Sequence, residues 1–127
     1  MIVLDSSGWI DIFTAGPRVK QLRRRVDEAD AVLVPTVVIY EVYKIIRRRR
    51  TQIEAMVAVT RLREYEVVPL DERIAVEAAE ASLRHDLPMA DALIYATALV
   101  HSATLVTADA HVEHIEGVEY IPADEDR

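Results

Sequence analysis

LPMADALIYATALVHSATLVTAD, residues 87–109, is the stretch whose reading decides the fold. It reads as a buried helix running into a buried strand. Its only acids are Asp91, near the start, and Asp109, at the end; everything between them is apolar, small or hydroxylic apart from His101. A helix that is apolar on all sides belongs in a core. An ionised carboxylate in such a place is costly unless it is paired or bound to a metal. The question set by the sequence is what Asp91 and Asp109 face.

Outward from this stretch, short apolar runs alternate with helical periodicity. Strands are expected at 2–5, 31–34, 66–70 and 104–107, with a further one at 118–121. Helices are expected at 8–14, 18–28, 37–50, 52–65 and 72–85, and a short helical turn at 110–115. Thr36 and Asp71 are the expected N-caps of the helices they precede. The inward stripes are read as Val19, Leu22 and Val26; Val38, Val42, Ile45 and Ile46; Ile53, Met56, Val57 and Leu62; and Ile74, Ala75, Ala78 and Leu83. The strands are continuous apolar runs rather than alternating ones. That pattern indicates a parallel sheet covered on both faces. Nothing resembling a linker or repeat interrupts it, so one domain over 1–127 is expected, with a frayed acidic tail at 122–127.

In a parallel α/β sheet, sites gather outside the carboxyl ends of the strands. Asp5 and Asp109 follow strand ends. Glu41 and Asp91 lie in early turns of helices, and the Glu41 helix directly follows a strand. All four acids can reach one rim. Taken singly, three have ordinary structural readings: Asp5 and Asp109 as helix caps, Asp91 as a complement to the positive end of its helix. Glu41 has no capping role and sits on an apolar face, so its ordinary alternative is a buried salt bridge. Ser6 and Thr107, beside the acids, can hydrogen-bond a carboxylate or a bound water, or serve as cap and strand-end filler.

Four carboxylates on one rim repel one another. A bound Mg²⁺ or Mn²⁺ removes that repulsion, because these ions prefer carboxylate and water oxygens. An oxygen-only site suits metals that activate water and clamp phosphate. The chain has no cysteine, which excludes disulfides and thiolate metal sites. His85, His101, His111 and His114 make no zinc pattern; His111 and His114 read as solvent-facing residues of a short helix.

The net charge of −7 argues against coating nucleic acid through bulk charge, though not against a site that is acidic because it holds cations. Arg23–Arg25 and Arg47–Arg50 can touch an RNA backbone, but consecutive helical residues point about 100° apart, so most of them read as a solvated face. Trp9 and Tyr40 can stack on bases; core packing is the expected role of both. MIVLD lacks the basic start of a signal peptide, and no apolar run of about 18 residues exists to span a membrane. The cytoplasm is the expected compartment.

With these residues assembled, the chain resembles the PIN-domain ribonucleases, specifically the VapC toxins of bacterial and archaeal toxin–antitoxin pairs. The likeness is carried by VLDSSGWI at 3–10, PTVVIYEV at 35–42, LPMADALIYATAL at 87–99 and LVTADAHV at 105–112. These occur in the family's order and spacing and cover nearly the whole chain. Carried over by position, the family's acidic site maps to Asp5, Glu41, Asp91 and Asp109, with Thr107 as a supporting hydroxyl. The resemblance implies a three-layer α/β/α fold with a central parallel sheet, Mg²⁺- or Mn²⁺-dependent RNA cleavage, homodimers and a cognate VapB-type antitoxin. Asp5, Asp91 and Asp109 would hold one or two metal ions, and Glu41 would orient the attacking water or complete the metal shell. Some members carry a further acid or amide where this chain has Val112, and the long basic surface of some RNA-binding relatives is absent.

Two other classes are less well matched. A phosphohydrolase of the haloacid-dehalogenase kind needs a second Asp two residues after the first, and position 7 is Ser. The other class is a non-catalytic module, either a phosphoacceptor receiver or a protein-binding domain; a receiver needs paired acids before its first helix and a lysine after a late strand. Neither is evident. An acidic site flanked by apolar helix faces also suits a partner segment with one arginine and several apolar anchors.

Overall fold

The computed structural model describes residues 1–123. Of the expected frayed tail, residues 124–127 lie outside the described residues. The elements run β1 (Ile2–Leu4), α1 (Ser6–Thr14), α2 (Val19–Glu28), β2 (Val32–Pro35), α3 (Thr36–Arg49), α4 (Gln52–Leu62), β3 (Glu66–Val68), α5 (Glu72–His85), α6 (Met89–Val100), β4 (Thr104–Thr107), a 3₁₀ turn (Ala110–Val112) and β5 (Val118–Tyr120). The strands form one five-stranded sheet in the order β3-β2-β1-β4-β5. Every pairing is parallel. Helices flank the sheet in the α/β/α arrangement expected.

This topology follows from the strand residues. Val3, Leu4, Leu33, Val34 and Val106 are fully buried, as strands covered on both faces require. The chain steps from β1 to β2 on one side and later returns to β4 on the other. The strand order therefore reverses between β1 and β4, where Leu4 pairs with Val106. That reversal opens a crevice at the carboxyl ends of the two strands. Helix α6 packs on β1 and β4. Its buried residues, Ala92 and Ile94 to Ala98, occupy most of its circumference, as its apolar composition predicts.

Local chemistry sets the helix ends. Asp5, Thr51 and Asp71 cap α1, α4 and α5, each accepting from a backbone N–H in the first turn. Thr36 is not a cap: β2 extends through Pro35, which is the residue preceding the first helical position. Gly8 lets α1 lie close to β1, because a methyl group there would overlap the buried Leu4 side chain.

Two helices bury a stripe that only partly matches the expected one: Leu62 of α4 and Ile74 and Ala78 of α5 are buried as expected, and their other expected inward residues are not. In α4 the buried residues are Ala55, Ala58 and Leu62, while Ile53, Met56 and Val57 face solvent. The alanines allow α4 to lie close against α3. In α5 the buried stripe is Ile74, Ala78 and Ala81, with Ala75 exposed and Leu83 84% exposed. Among the described residues no helix is long and apolar enough to cross a membrane.

Candidate active site

Three carboxylates, Asp5, Asp91 and Asp109, line the crevice, and Glu41 stands near them. Asp5 leaves β1 and caps α1. Its Oδ1 accepts from Ser7 Oγ at 2.9 Å and from the Gly8 N–H at 3.0 Å. Its Oδ2 accepts from the hydroxyl of Thr107, the last residue of β4. Thr107 is fully buried, and its Oγ1 in turn accepts from the Asp109 N–H at 2.9 Å. One hydroxyl thus joins the strand-end acids of β1 and β4. The Asp5 N–H completes the join by donating to the Val106 carbonyl at 3.0 Å.

Asp109 caps the 3₁₀ turn. Its Oδ1 accepts from the His111 N–H at 2.9 Å and lies 2.9 Å from His111 Nδ1. Glu41, half-buried in the second turn of α3, accepts from Ser6 Oγ at 2.6 Å. Its ordinary alternative, a salt bridge to a buried Arg or Lys, is not found among the described residues. Asp91 stands in the first turn of α6, exposed at the mouth of the crevice. No hydrogen-bond donor reaches its carboxylate among the described residues.

The electrostatics follow this arrangement. Burial pushes the Asp5 carboxyl above its ordinary value of 3.8, against the hydrogen bonds from Thr107, Gly8 and Ser7, and the negative charge of Asp109 adds to the rise. Asp91 is also raised, first by partial desolvation and then by the charges of Glu41, Asp5 and Asp109. Asp109 is lowered, chiefly because the His111 backbone N–H stabilises its ionised form. The charges of Glu41, Asp5 and Asp109 all act on Asp91, so the four acids lie near one another.

The donor chemistry fits a hard divalent cation. All donors are oxygens, Asp91 has no competing partner, and Asp109 Oδ2 and Glu41 Oε2 have no hydrogen-bond donor among the described residues. No three of these groups are drawn together tightly enough to enclose an ion among the described residues. The fit therefore rests on donor type and charge, not on a preformed cage.

Asp5, Asp91 and Asp109 line a small cleft whose lower wall is apolar and includes Leu87, Ile94 and Val112. Val112, at the position where some PIN domains have a further acid or amide, is buried in that wall. Trp9 packs in the core against Phe13 and Tyr65, as expected. Tyr40, expected in the core, is 61% exposed. Sequence reasoning missed Ser7, Gly8 and His111 as contacts of the acids. The Asp-Ser-Ser-Gly run at a helix start was a signal for the first two. Nothing in the sequence distinguishes His111 from an uninvolved surface histidine.

The match to known families agrees with this geometry. The PIN domain model matches residues 2–118, and the chain belongs to the PIN domain family. Solved structures of the same fold include a toxin–antitoxin complex from Klebsiella pneumoniae, 21% identical, covering 95% of this chain and 100% of that one with a TM-score of 0.78. VapBC2 from Rickettsia felis, bound to a DNA fragment from its promoter, is 14% identical, with 98% and 100% covered and a TM-score of 0.76. VapC20 from Mycobacterium tuberculosis, a toxin that cleaves the sarcin–ricin loop, is 22% identical, with 85% and 88% covered and a TM-score of 0.72. A comparison with curated proteins returned no match.

Proposed function

We propose that this PIN-domain chain is a Mg²⁺- or Mn²⁺-dependent endoribonuclease, the toxin of a toxin–antitoxin pair. The observation that carries the reading is the placement of Asp5, Asp91 and Asp109 around one cleft at the reversal of strand order, with Asp91 unpartnered among the described residues. A site that concentrates negative charge in this way is stabilised by a cation. When bound, the divalent ion supplies a counter-charge for the phosphate and acidifies a water.

The chain's own residues have separable tasks in this reading. Asp5, Asp91 and Asp109 offer the oxygen ligands. Thr107, Ser7 and the Gly8 N–H fix the orientation of Asp5, as outer hydrogen bonds do for metal ligands generally. Ser6 holds Glu41 by Oε1, and Oε2 is left to orient the water that attacks the phosphodiester.

A ribonuclease active in its own cytoplasm needs restraint. Structural relatives in complexes from Klebsiella pneumoniae, Rickettsia felis and Haemophilus influenzae support a VapB-type antitoxin as the partner. A homodimer is proposed as well. Exposed apolar residues such as Val76, Leu83 and Leu99 supply surface for such contacts. The test is expression of the chain alone in growing cells. Growth arrest with fragmented RNA, relieved by Asp5→Asn and by co-expression of the small protein from the neighbouring gene, is the expected result. Unimpaired growth with intact RNA and full expression would count against the toxin reading.

A further inference from the structure

An open groove runs between α3 and α4, and its walls include Tyr40, Tyr43, Lys44, Arg47, Arg48 and Met56. Tyr40, Tyr43, Lys44 and Arg47 stand at helical spacing and share one face of α3. The Lys44 ammonium lies 5.4 Å from the centre of the exposed Tyr40 ring and donates to its hydroxyl at 3.3 Å. The chain carries a net charge of −7, yet among the described residues no acid lines this groove. Arg25 and Arg50 are occupied by Glu119 and Glu54. Lys44, Arg47 and Arg48 have no carboxylate partner among the described residues.

We propose that this groove binds single-stranded RNA beside the acidic rim, with a base stacked on Tyr40 and phosphates paired to Lys44, Arg47 and Arg48. Charge complementarity selects a polyanion. The exposed ring of Tyr40 selects one whose bases are unstacked, since single strands dock on aromatic platforms with cations tracking the backbone. The groove is continuous with the site along the chain. Tyr40 immediately precedes Glu41, and α3 begins where β2 ends at the rim. From Tyr40 to Arg47 the helix carries the strand about 10 Å away from the acids. The assignment rests on the ribonuclease reading given above.

The test measures binding of a short, unstructured, fluorescently labelled RNA to the full chain in EDTA over a salt series, with the same sequence as a duplex for comparison. Tyr40→Ala should weaken single-strand binding about tenfold, and Tyr40→Phe should restore it. Arg47→Gln should flatten the salt dependence by about one phosphate contact, whereas Arg24→Gln on α2 should not. In cleavage, Tyr40→Ala should raise KM and leave kcat unchanged. If wild type binds and cuts RNA while Tyr40→Ala and Arg47→Gln match it, the groove assignment fails and the ribonuclease reading stands. If Tyr40→Ala turns a dimer into a monomer without changing RNA affinity, the surface belongs to a second copy and the assignment also fails. A wild type that neither binds nor cuts RNA overturns both.

Discussion

The hydroxyl of Thr107 donates to Oδ2 of Asp5 across 102 residues of sequence, while its oxygen accepts the Asp109 N–H. This one buried group fixes the acid that ends β1 against the acid that follows β4. Thr107→Val keeps the shape and removes both bonds, leaving the Asp109 N–H without its acceptor. Activity should fall about 10- to 100-fold, in the range seen for outer-shell partners, with a loss of stability of about 1 kcal/mol or more. Thr107→Ser should recover most of both. Steady-state kinetics and urea unfolding measure the pair of effects.

Asp91 gives the cleanest titration experiment, because no hydrogen bond is lost when it is changed. Its folded pKa lies above 3.8, as does that of Asp5. The folded state therefore binds more protons than the unfolded one in the window above 3.8, and stability falls as pH rises through it. Asp109 has the opposite sign: its lowered pKa contributes stability above the ordinary value that is lost as pH falls. In EDTA, Asp91→Asn should raise the Tm at neutral pH and reduce the loss of stability between acid and neutral conditions. A lower Tm for Asp91→Asn would show that its charge is compensated within the protein.

Mn²⁺ should reverse that order. By mass action an ion at one hundred times its Kd adds about 2.7 kcal/mol. The thermal shift should shrink in Asp91→Asn and in Asp5→Asn, so that wild type is the more stable chain when metal is saturating. Calorimetry over a Mn²⁺ series reads this directly.

Gly8 links packing to the site. Its N–H holds Asp5, and a methyl group in its place would overlap the buried Leu4. Gly8→Ala should cost about 1–3 kcal/mol through overpacking and lower activity further by displacing Asp5. Paired Gly8→Ala and Leu4→Ala substitutions should cost less than the sum of the two single losses. Additive losses in a double-mutant cycle would show that the two residues are not in conflict.

The acids were legible because strand ends and helix starts are local features. Asp5 and Asp109 each follow an apolar run, and a parallel β/α order places such positions on one rim. That they also cap helices removes nothing from this reading, since one carboxylate can cap with one oxygen and face the crevice with the other. The inward faces of α4 and α5 were not legible. Leu62 was read correctly, but Gln52 to Leu62 is apolar on more than one side, so its periodicity does not choose between Ile53, Met56 and Val57 and the alanines Ala55 and Ala58 as its companions. Close packing against α3 chooses the alanines. Tyr40 was expected in the core and is exposed, and His111 was missed, for a related reason: their positions depend on how neighbouring elements and rotamers meet, which spacing does not encode.

Asp5, Glu41, Asp91 and Asp109 are proposed to form one metal-dependent hydrolytic site for RNA. The most direct measurement of this is cleavage of a defined RNA by the purified chain, freed of any partner, in EDTA and in a series of Mg²⁺ and Mn²⁺ concentrations. Asp5→Asn, Asp91→Asn and Glu41→Gln, each shown to be folded by circular dichroism, are measured alongside. Saturable activation of the wild type by metal, with cleavage reduced at least about 100-fold in all three variants, is the result expected. Cleavage that persists in EDTA, or that survives Glu41→Gln and Asp91→Asn, would contradict it.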